Sequence, residues 1–540
     1  MSEPVSVIDR SDIFVHAADP TPIRVVEPDH KFGIVKLNMK KTQISKTPTF
    51  FLFTVDKTGS MNERASSCAG PSTKMDFLIS TFTKMATYLS EQDTEIYIQI
   101  NTFNETVEKL VEPVRLSANN LSSILDKIKD INADGSTNIG TALSSSSEDM
   151  NNYMANNPEH QFAHIFMSDG DPTTGERSHS ALKEMVSDSY TNVFVGFGEQ
   201  HNSSLFNKFC ELKNSEYQFV DNLENTGMVY GEIIHQFLFP AIRNATISIE
   251  NGVLYDWQTN TWVSELKESV IVGEAEKIYH YKTTAAFDVE VTISGTQDGE
   301  TLEQVLSVVS PMPELMDMSG NLVSPTDLTK YMFRQRTQEL LFISKTISKS
   351  GNHRGSEITS FKQALKTLFK KLRSYMRGKM LNDDPLLNML CDDLSVVYRT
   401  CGTRMGEMYS TSRQVTQGRQ GTYTASAVIN DLPDEPSTPR RVVRQNAIQA
   451  PPPPLMRTNS APARPMFPVM EDDLAEDNSP SEDMEIAAML LSIENMDKNI
   501  EPDADASVSE DDLDQYAPSD ANTSCYSTPR KLDIMRTFTK

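Results

Sequence analysis

Cysteine is scarce in this chain and poorly placed for structural chemistry. Cys68, Cys210, Cys391, Cys401 and Cys525 are odd in number, scattered, and form no C-x-x-C pair, which excludes a disulfide framework and a cysteine-based zinc site. Long apolar runs are missing too: nothing approaches the ~18 consecutive residues that span a bilayer, so no transmembrane segment is expected. The opening MSEPVSVIDRSD has early acids and no apolar centre, so no secretory leader is read and the expectation is a cytoplasmic, intracellular protein. Bases are outnumbered, with 50 Lys and Arg against 75 Asp and Glu, but the excess is uneven. Between Glu471 and Asp520 the only base is Lys498; the remainder is nearer neutral, so no nucleic-acid partner is indicated. No P-loop, H-E-x-x-H or G-x-S-x-G appears. His160, His164 and His179 join no Ser/His/Asp pattern, so no catalytic residue and no organic cofactor site is assigned, and His164 reads as core.

The stretch Thr49 to Met61, TFFLFTVDKTGSM, organises the rest. The apolar run Phe50 to Val55 is followed by Asp56, Thr58 and Ser60 at alternating positions, with Gly59 letting the backbone turn tightly. This predicts a buried strand delivering oxygen ligands to a loop at its carboxyl end, where open α/β sheets place their sites. Two later stretches are similar. ADGSTNIGTAL, 133–143, holds Thr137 in a Gly-flanked loop before a helix; HIFMSDGDPTT, 164–174, is an apolar run ending in Asp169 and Gly170. Read singly, DKTGS is also an ordinary turn composition.

Taken in order, the three stretches resemble the D-x-S-x-S, Thr and Asp elements of a von Willebrand factor A domain with a metal-ion-dependent adhesion site. The resemblance implies a divalent cation held by Asp56, Thr58, Ser60, Thr137 and Asp169. Thr58 departs from the commonest pattern, which has Ser; it keeps the oxygen, adds a methyl, and leaves cation preference open. Carboxylates and hydroxyls are hard ligands suited to Mg²⁺, the first expectation, or to Mn²⁺ or Ca²⁺. Such a site leaves a coordination position for a carboxylate from a protein partner.

At 540 residues the chain exceeds one core, and its 38% hydrophobic content is low for a fully folded chain. Residues 1–48 begin irregularly and offer one strand, Lys31 to Met39, expected to join β material further along. From 49 to 243, strand and helix alternate as in a Rossmann-like doubly wound α/β fold, a pattern that also resembles A domains throughout. Residues 244–312 shift to short strands with turns such as Gln297-Asp298-Gly299, a small β-sandwich in which Trp257 and Trp262 are expected to fill the core. Residues 322–415 read as helical. Ser324, Pro325 and Asp327 give a start signal; a second helix, Ser360 to Arg377, has a Phe/Leu face with its bases left in solvent; a third covers Pro385 to Arg399.

From 420 to 540 the expectation is a disordered acidic tail with short signals. Ser481 to Met496 has an N-cap and an apolar stripe, and could fold as a helix on a partner. Ser437 to Arg440 and Ser527 to Arg530 are STPR repeats resembling proline-directed kinase sites, and Ser460, with Arg457 before it and Pro462 after, resembles a site for a phosphoserine-reading adaptor. The acids of the tail are also available as an internal pseudo-ligand for the Asp56 site. The leading functional expectation is a metal-dependent protein-binding module on an intracellular scaffold. Two alternatives stand beside it: an enzyme-associated subunit, such as a ubiquitin-ligase-like protein without a RING finger, and a structural or host-interaction protein whose A domain is inert.

Overall fold

The computed structural model describes residues 6–18, 21–64, 73–198, 201–220, 226–284, 289–297, 299–307, 326–349, 355–403, 405–422, 482–497, 509, 512–516, 518 and 524–539. Two strands open the chain, Ile8–Val15 (β1) and Lys31–Met39 (β2), paired antiparallel. Only β2 was expected. β1 is a sheet-edge strand whose polar residues break the apolar alternation that marks a half-buried strand.

A doubly wound domain follows, as expected: Thr49–Asp56 (β3), Lys74–Ser90 (α1), Ile96–Phe103 (β4), Val107–Arg115 (β5), Ala118–Lys129 (α2), Ile139–Asn156 (α3), Gln161–Ser168 (β6), His179–Glu184 (α4), Thr191–Phe197 (β7), Ser203–Phe209 (α5), Ser215–Val220 (β8) and Thr226–Leu238 (α6). The sheet order is β5-β4-β3-β6-β7-β8, parallel except for β5. Every residue of β3 is buried because helices cover both faces, which is why this strand reads as a continuous apolar run. Phe51, Phe53 and Val55 pack with α1, α2 and α6, whereas Phe50 and Leu52 pack with Met150 and Tyr190. β5 was not anticipated: it is an edge strand, mostly exposed and interrupted by Pro113.

Pro240–Glu250 (β9), Val253–Asp256 (β10), Thr261–Val263 (β11), Glu265–Val272 (β12), Glu276–Thr283 (β13), Glu290–Gln297 (β14) and Glu300–Ser307 (β15) form a sandwich with β1 and β2. Its sheets run β1-β2-β13-β10-β11 and β12-β9-β14-β15. β2 pairs with β13 along its length, from Lys31 opposite Thr283 to Asn38 opposite Glu276, so the N-terminal segment supplies strands that the later segment lacks. The sandwich begins at Pro240 rather than 244, since β9 starts directly after α6. The tryptophans are displaced from the expected core. Both are half-buried: Trp262 packs on the helical cluster, and Trp257 lies against Gly418, where a Cβ would overlap its ring.

The helices are Thr329–Lys349 (α7), Gly355–Gly378 (α8), Pro385–Thr400 (α9), Gly406–Arg419 (α10), Glu482–Asp497 (α11), Asp512–Gln515 (α12) and Pro529–Thr539 (α13). Asp327 caps α7 by accepting from the Thr329 amide at 2.9 Å; Ser324, Pro325 and Ser460 lie outside the described residues. The Phe/Leu face of α8 is buried as expected, but its bases are mostly half-buried, because α12 and Tyr398 sit against them: Lys366 Nζ is 2.7 Å from Asp514 and 5.4 Å from the Tyr398 ring centroid. Helical structure continues past 415 to Arg419, where the Ser- and Thr-rich α10 shows no apolar period; it is buried through polar contacts such as Arg413 to Asp393 at 3.2 Å. No described helix is long and apolar enough to cross a membrane.

The description of 420–540 as a disordered tail is overturned for three segments. α11 lays Ile486 into the helical cluster, α12 adds Leu513, and α13 puts Ile534 and Phe538 into the core shared by α1 and α6. Each segment is too short to hold as an isolated helix, and the surface that stabilises it lies hundreds of residues away. α13 approaches α6 so closely that a Cβ on Gly231 would stand 2.8 Å from Met535 Cγ. Its Lys531 Nζ donates at 3.0 Å to Glu232, which also accepts from the Thr422 amide at 2.9 Å. Burial alone would raise the Glu232 carboxyl, but these partners hold it below its usual range. Lys531→Ala leaves a buried carboxylate without its counter-charge and is expected to cost ~3 kcal/mol. The paired replacement Glu232→Gln with Lys531→Met should cost less. Urea unfolding of both measures this; equal losses would show that the ion pair does not seat the helix.

Candidate metal centre

The site is assembled where two adjacent parallel strands end. Asp56 is the last residue of β3, Asp169 follows the last residue of β6, and both are buried. Backbone bonds bring a third loop alongside: the Gly59 amide donates to Gly135 O at 3.1 Å, and the Asp134 amide to Lys57 O at 2.8 Å. Gly135 has φ of +77° and lies against Asn104, a turn that a side chain would strain. Thr137 is fixed from the other side, its amide donating to Thr173 Oγ1 at 2.8 Å and its carbonyl accepting from the Thr173 and Thr174 amides.

The five side chains named from the sequence come together. Asp56 Oδ1 accepts from the Thr58 amide at 2.8 Å, turning the chain back over the strand end, and Oδ2 accepts from Ser168 Oγ at 2.5 Å. Thr58 Oγ1 and Ser60 Oγ lie 3.0 Å apart, and Ser60 Oγ donates to Asp169 Oδ1 at 2.7 Å. A Cβ on Gly170 would stand 3.8 Å from both Ser60 Oγ and Thr137 Oγ1, so these hydroxyls flank the glycine. Met61 is fully buried beneath the single 3₁₀ turn Gly59–Asn62 and anchors the loop.

Burial, and then the neighbouring Asp169 charge, push the Asp56 carboxyl up to about 6. Beneath the centre, Thr54 Oγ1 meets His164 Nε2 at 3.0 Å, and His164 Nδ1 meets Asn192 Oδ1 at 3.1 Å. Burial holds this imidazole down at about 4, so it is neutral and committed to the core. No group of three or more His, Cys, Asp or Glu among the described residues is placed to hold a metal; the candidate centre relies on hydroxyls instead. Its donor set of two carboxylates and three hydroxyls fits a hard divalent cation.

Three participants were not named from the sequence: Ser168, Lys74 and Glu63. Ser168 is a hydroxyl immediately before Asp169, and its position at the strand's end was the available signal. Lys74 begins α1, and its ammonium lies 2.6 Å from Asp169 Oδ2 and 2.9 Å from Glu63 Oε2. Nothing in helical periodicity separates Lys74 from any other first-turn residue.

The raised Asp56 value fixes a sign. Folded Asp56 holds its proton more tightly than the unfolded chain, so ionising it removes stability progressively between about pH 4 and 6, and the loss is complete above about 6. In EDTA, Asp56→Asn should therefore be more stable than the unsubstituted protein at about pH 8, with the advantage shrinking as pH falls through about 6. Thermal unfolding across this range measures it; a pH-independent difference would contradict the burial account.

Residues 52–231 match the family model of the von Willebrand factor type A domain. The chain is similar to inter-alpha-trypsin inhibitor heavy chain H2 of Mesocricetus auratus, 23% identical over 313 residues, covering 56% of this chain and 31% of that protein. It thus spans about a third of the curated relative's length. Among solved structures it is similar to the ArnB paralog VWA2 from Sulfolobus acidocaldarius, at 12% identity and a TM-score of 0.47, covering 76% of this chain and 98% of that one. It is also similar to a von Willebrand factor type A protein from Catenulispora acidiphila, at 11% identity and a TM-score of 0.45, covering 65% and 83% respectively. Residues 52–231 are a von Willebrand factor type A domain.

Proposed function

We propose that this chain is a metal-dependent protein-binding module in which Asp56, Thr58, Ser60, Thr137 and Asp169 hold a divalent cation, Mg²⁺ first and Mn²⁺ or Ca²⁺ as alternatives. The bound ion supplies a Lewis-acidic position to which a carboxylate of a partner protein bonds. The observation that carries this reading is the burial of Asp56 beside Asp169, with Asp56 pushed up to about 6: two acids removed from water need nearby positive charge. The chain's own groups orient the donors. Ser168 and the Thr58 amide hold Asp56, Ser60 holds Asp169, and the 134–138 loop presents Thr137. His164 is engaged by Thr54 and Asn192, which supports a binding role rather than hydrolysis. Placement in the cytoplasm is part of the same proposal, supported by Cys210, Cys391, Cys401 and Cys525 being free thiols.

A second reading is favoured by one specific observation, the Lys74 ammonium against Asp169. A fixed cation there lets the acids persist without a metal, which would suit an inert domain. Calorimetric titration with Mg²⁺ and Mn²⁺ separates the two. The proposal expects saturable binding that Asp56→Ala abolishes, together with EDTA-sensitive capture of a carboxylate-bearing peptide. No saturable heat and no thermal shift with either ion would leave the inert reading standing.

A further inference from the structure

Lys74 is in a position that ordinary helix chemistry disfavours. It is the first residue of α1, where unpaired amides and the helix dipole already place positive charge. It is also 6% exposed, and burial works against an ammonium. A solvent-directed side chain would avoid both costs. Instead the chain crosses into the site, where Nζ lies 2.6 Å from Asp169 Oδ2 and 2.9 Å from Glu63 Oε2. The helix start does not depend on it: Thr73 and Asp76 form a capping box around it, each binding the other's backbone amide.

The two oxygens of Asp169 are divided between different tasks. Oδ1 accepts from Ser60, on the side of the hydroxyl donors, and Oδ2 faces Lys74. Among the described residues no cation pairs with Asp56; its oxygens meet the Thr58 amide and hydroxyl and the Ser168 hydroxyl. The cluster therefore carries three carboxylates, Asp56, Asp169 and the exposed Glu63, and one ammonium, which Asp169 and Glu63 share.

We infer that Lys74 is a resident counter-cation which stabilises the metal-free site and, by occupying Asp169 Oδ2 with a positive charge, weakens the site's hold on a divalent cation. The inference rests on the metal-binding reading above and adds a determinant of affinity to it. Its ammonium sits between two carboxylates, 2.6 Å from Asp169 and 2.9 Å from Glu63, the pairing that favours the charged form. An incoming dication meets a positive charge one carboxylate away and gains less from Asp169 than from an unpaired acid. The domain is consequently built to exist without its ion and to take it up at higher ion concentration.

The test uses the full chain with Lys74→Met, Lys74→Gln and Lys74→Arg, Mn²⁺ or Mg²⁺ alone as probe, and two readouts: the dissociation constant by calorimetry and the unfolding temperature in EDTA. Lys74→Met and Lys74→Gln should bind about tenfold or more tightly while unfolding at lower temperature in EDTA, so that the metal-induced thermal shift widens. Lys74→Arg, which keeps the charge, should stay near the unsubstituted protein. Should Lys74→Met fold only with Mn²⁺, that is the same effect at its extreme; should it fail in both conditions, Lys74→Gln decides. Unchanged or weaker binding in the neutral variants overturns the inference and leaves Lys74 as a positioning residue for Asp169, without touching the metal-binding reading. Absence of binding in every variant sinks that reading and the inference together. Binding in the neutral variants alone supports the inference and shows that Lys74 keeps the natural site closed to metal.

Discussion

Two carboxylates buried at the ends of neighbouring parallel strands are the constraint on which this site depends. Parallel pairing of β3 with β6 sets Asp56 and Asp169 on adjacent strand ends, and adjacent strands lie only ~4.8 Å apart. Like charges that close, out of water, would neutralise or repel. Each surrounding feature reduces that cost: the Thr58 amide and Ser168 on Asp56, Ser60 and Lys74 on Asp169. The surrounding loops are tied by backbone bonds instead of by apolar packing alone, because a small error in their placement would leave an acid without a partner.

The remainder of the chain limits where a partner can bind. The doubly wound domain is covered on one face by α13, through Ile534 and Phe538, and on the other by α10, through Met408 and Tyr409. Both helices come from beyond the domain in sequence. The β-sandwich abuts it directly, since β9 follows α6 with one intervening residue. The loops around Asp56, in contrast, stay exposed at Asp134, Asp171 and Glu176. Among the described residues the strand ends, where the donor oxygens are, are thus the part of the domain left uncovered.

The parts of this arrangement legible in the sequence were those whose signals are local. The run Phe50 to Val55 gave a buried strand, because a parallel strand's burial is written in its own residues, and D-K-T-G-S at its end gave oxygens that converge with Asp169. The same locality explains the failures. β1 and β5 are edge strands whose faces are mostly solvated, so they carry little alternation. α13 has too few residues to declare itself, and its stability comes from Gly231 and Glu232 some three hundred positions earlier. α10 is buried through Ser, Thr, Gln and Arg, which composition reads as exposed. The tryptophans were assigned to the nearest core in sequence, whereas the helical cluster reached them first. Lys74 could not be found at all from pattern, since its significance lies in one carboxylate on a different strand end.

The charge on the exposed loops bears on what a partner must look like if the site binds metal. Glu63, Asp134, Asp171 and Glu176 are exposed around the donors, with Arg64 and Arg177 exposed among them; Lys57 pairs with Glu108 at 2.8 Å and Lys74 with Glu63 at 2.9 Å. This rim concentrates dications near the site but repels the carboxylate that a bound ion would attract. The attraction acts at contact distance on one group, while the repulsion is spread over the approaching surface and is screened only beyond ~8 Å at physiological salt. If the site binds metal as proposed, a ligand carboxylate flanked by lysines or arginines would suit these loops better than one on an acidic surface.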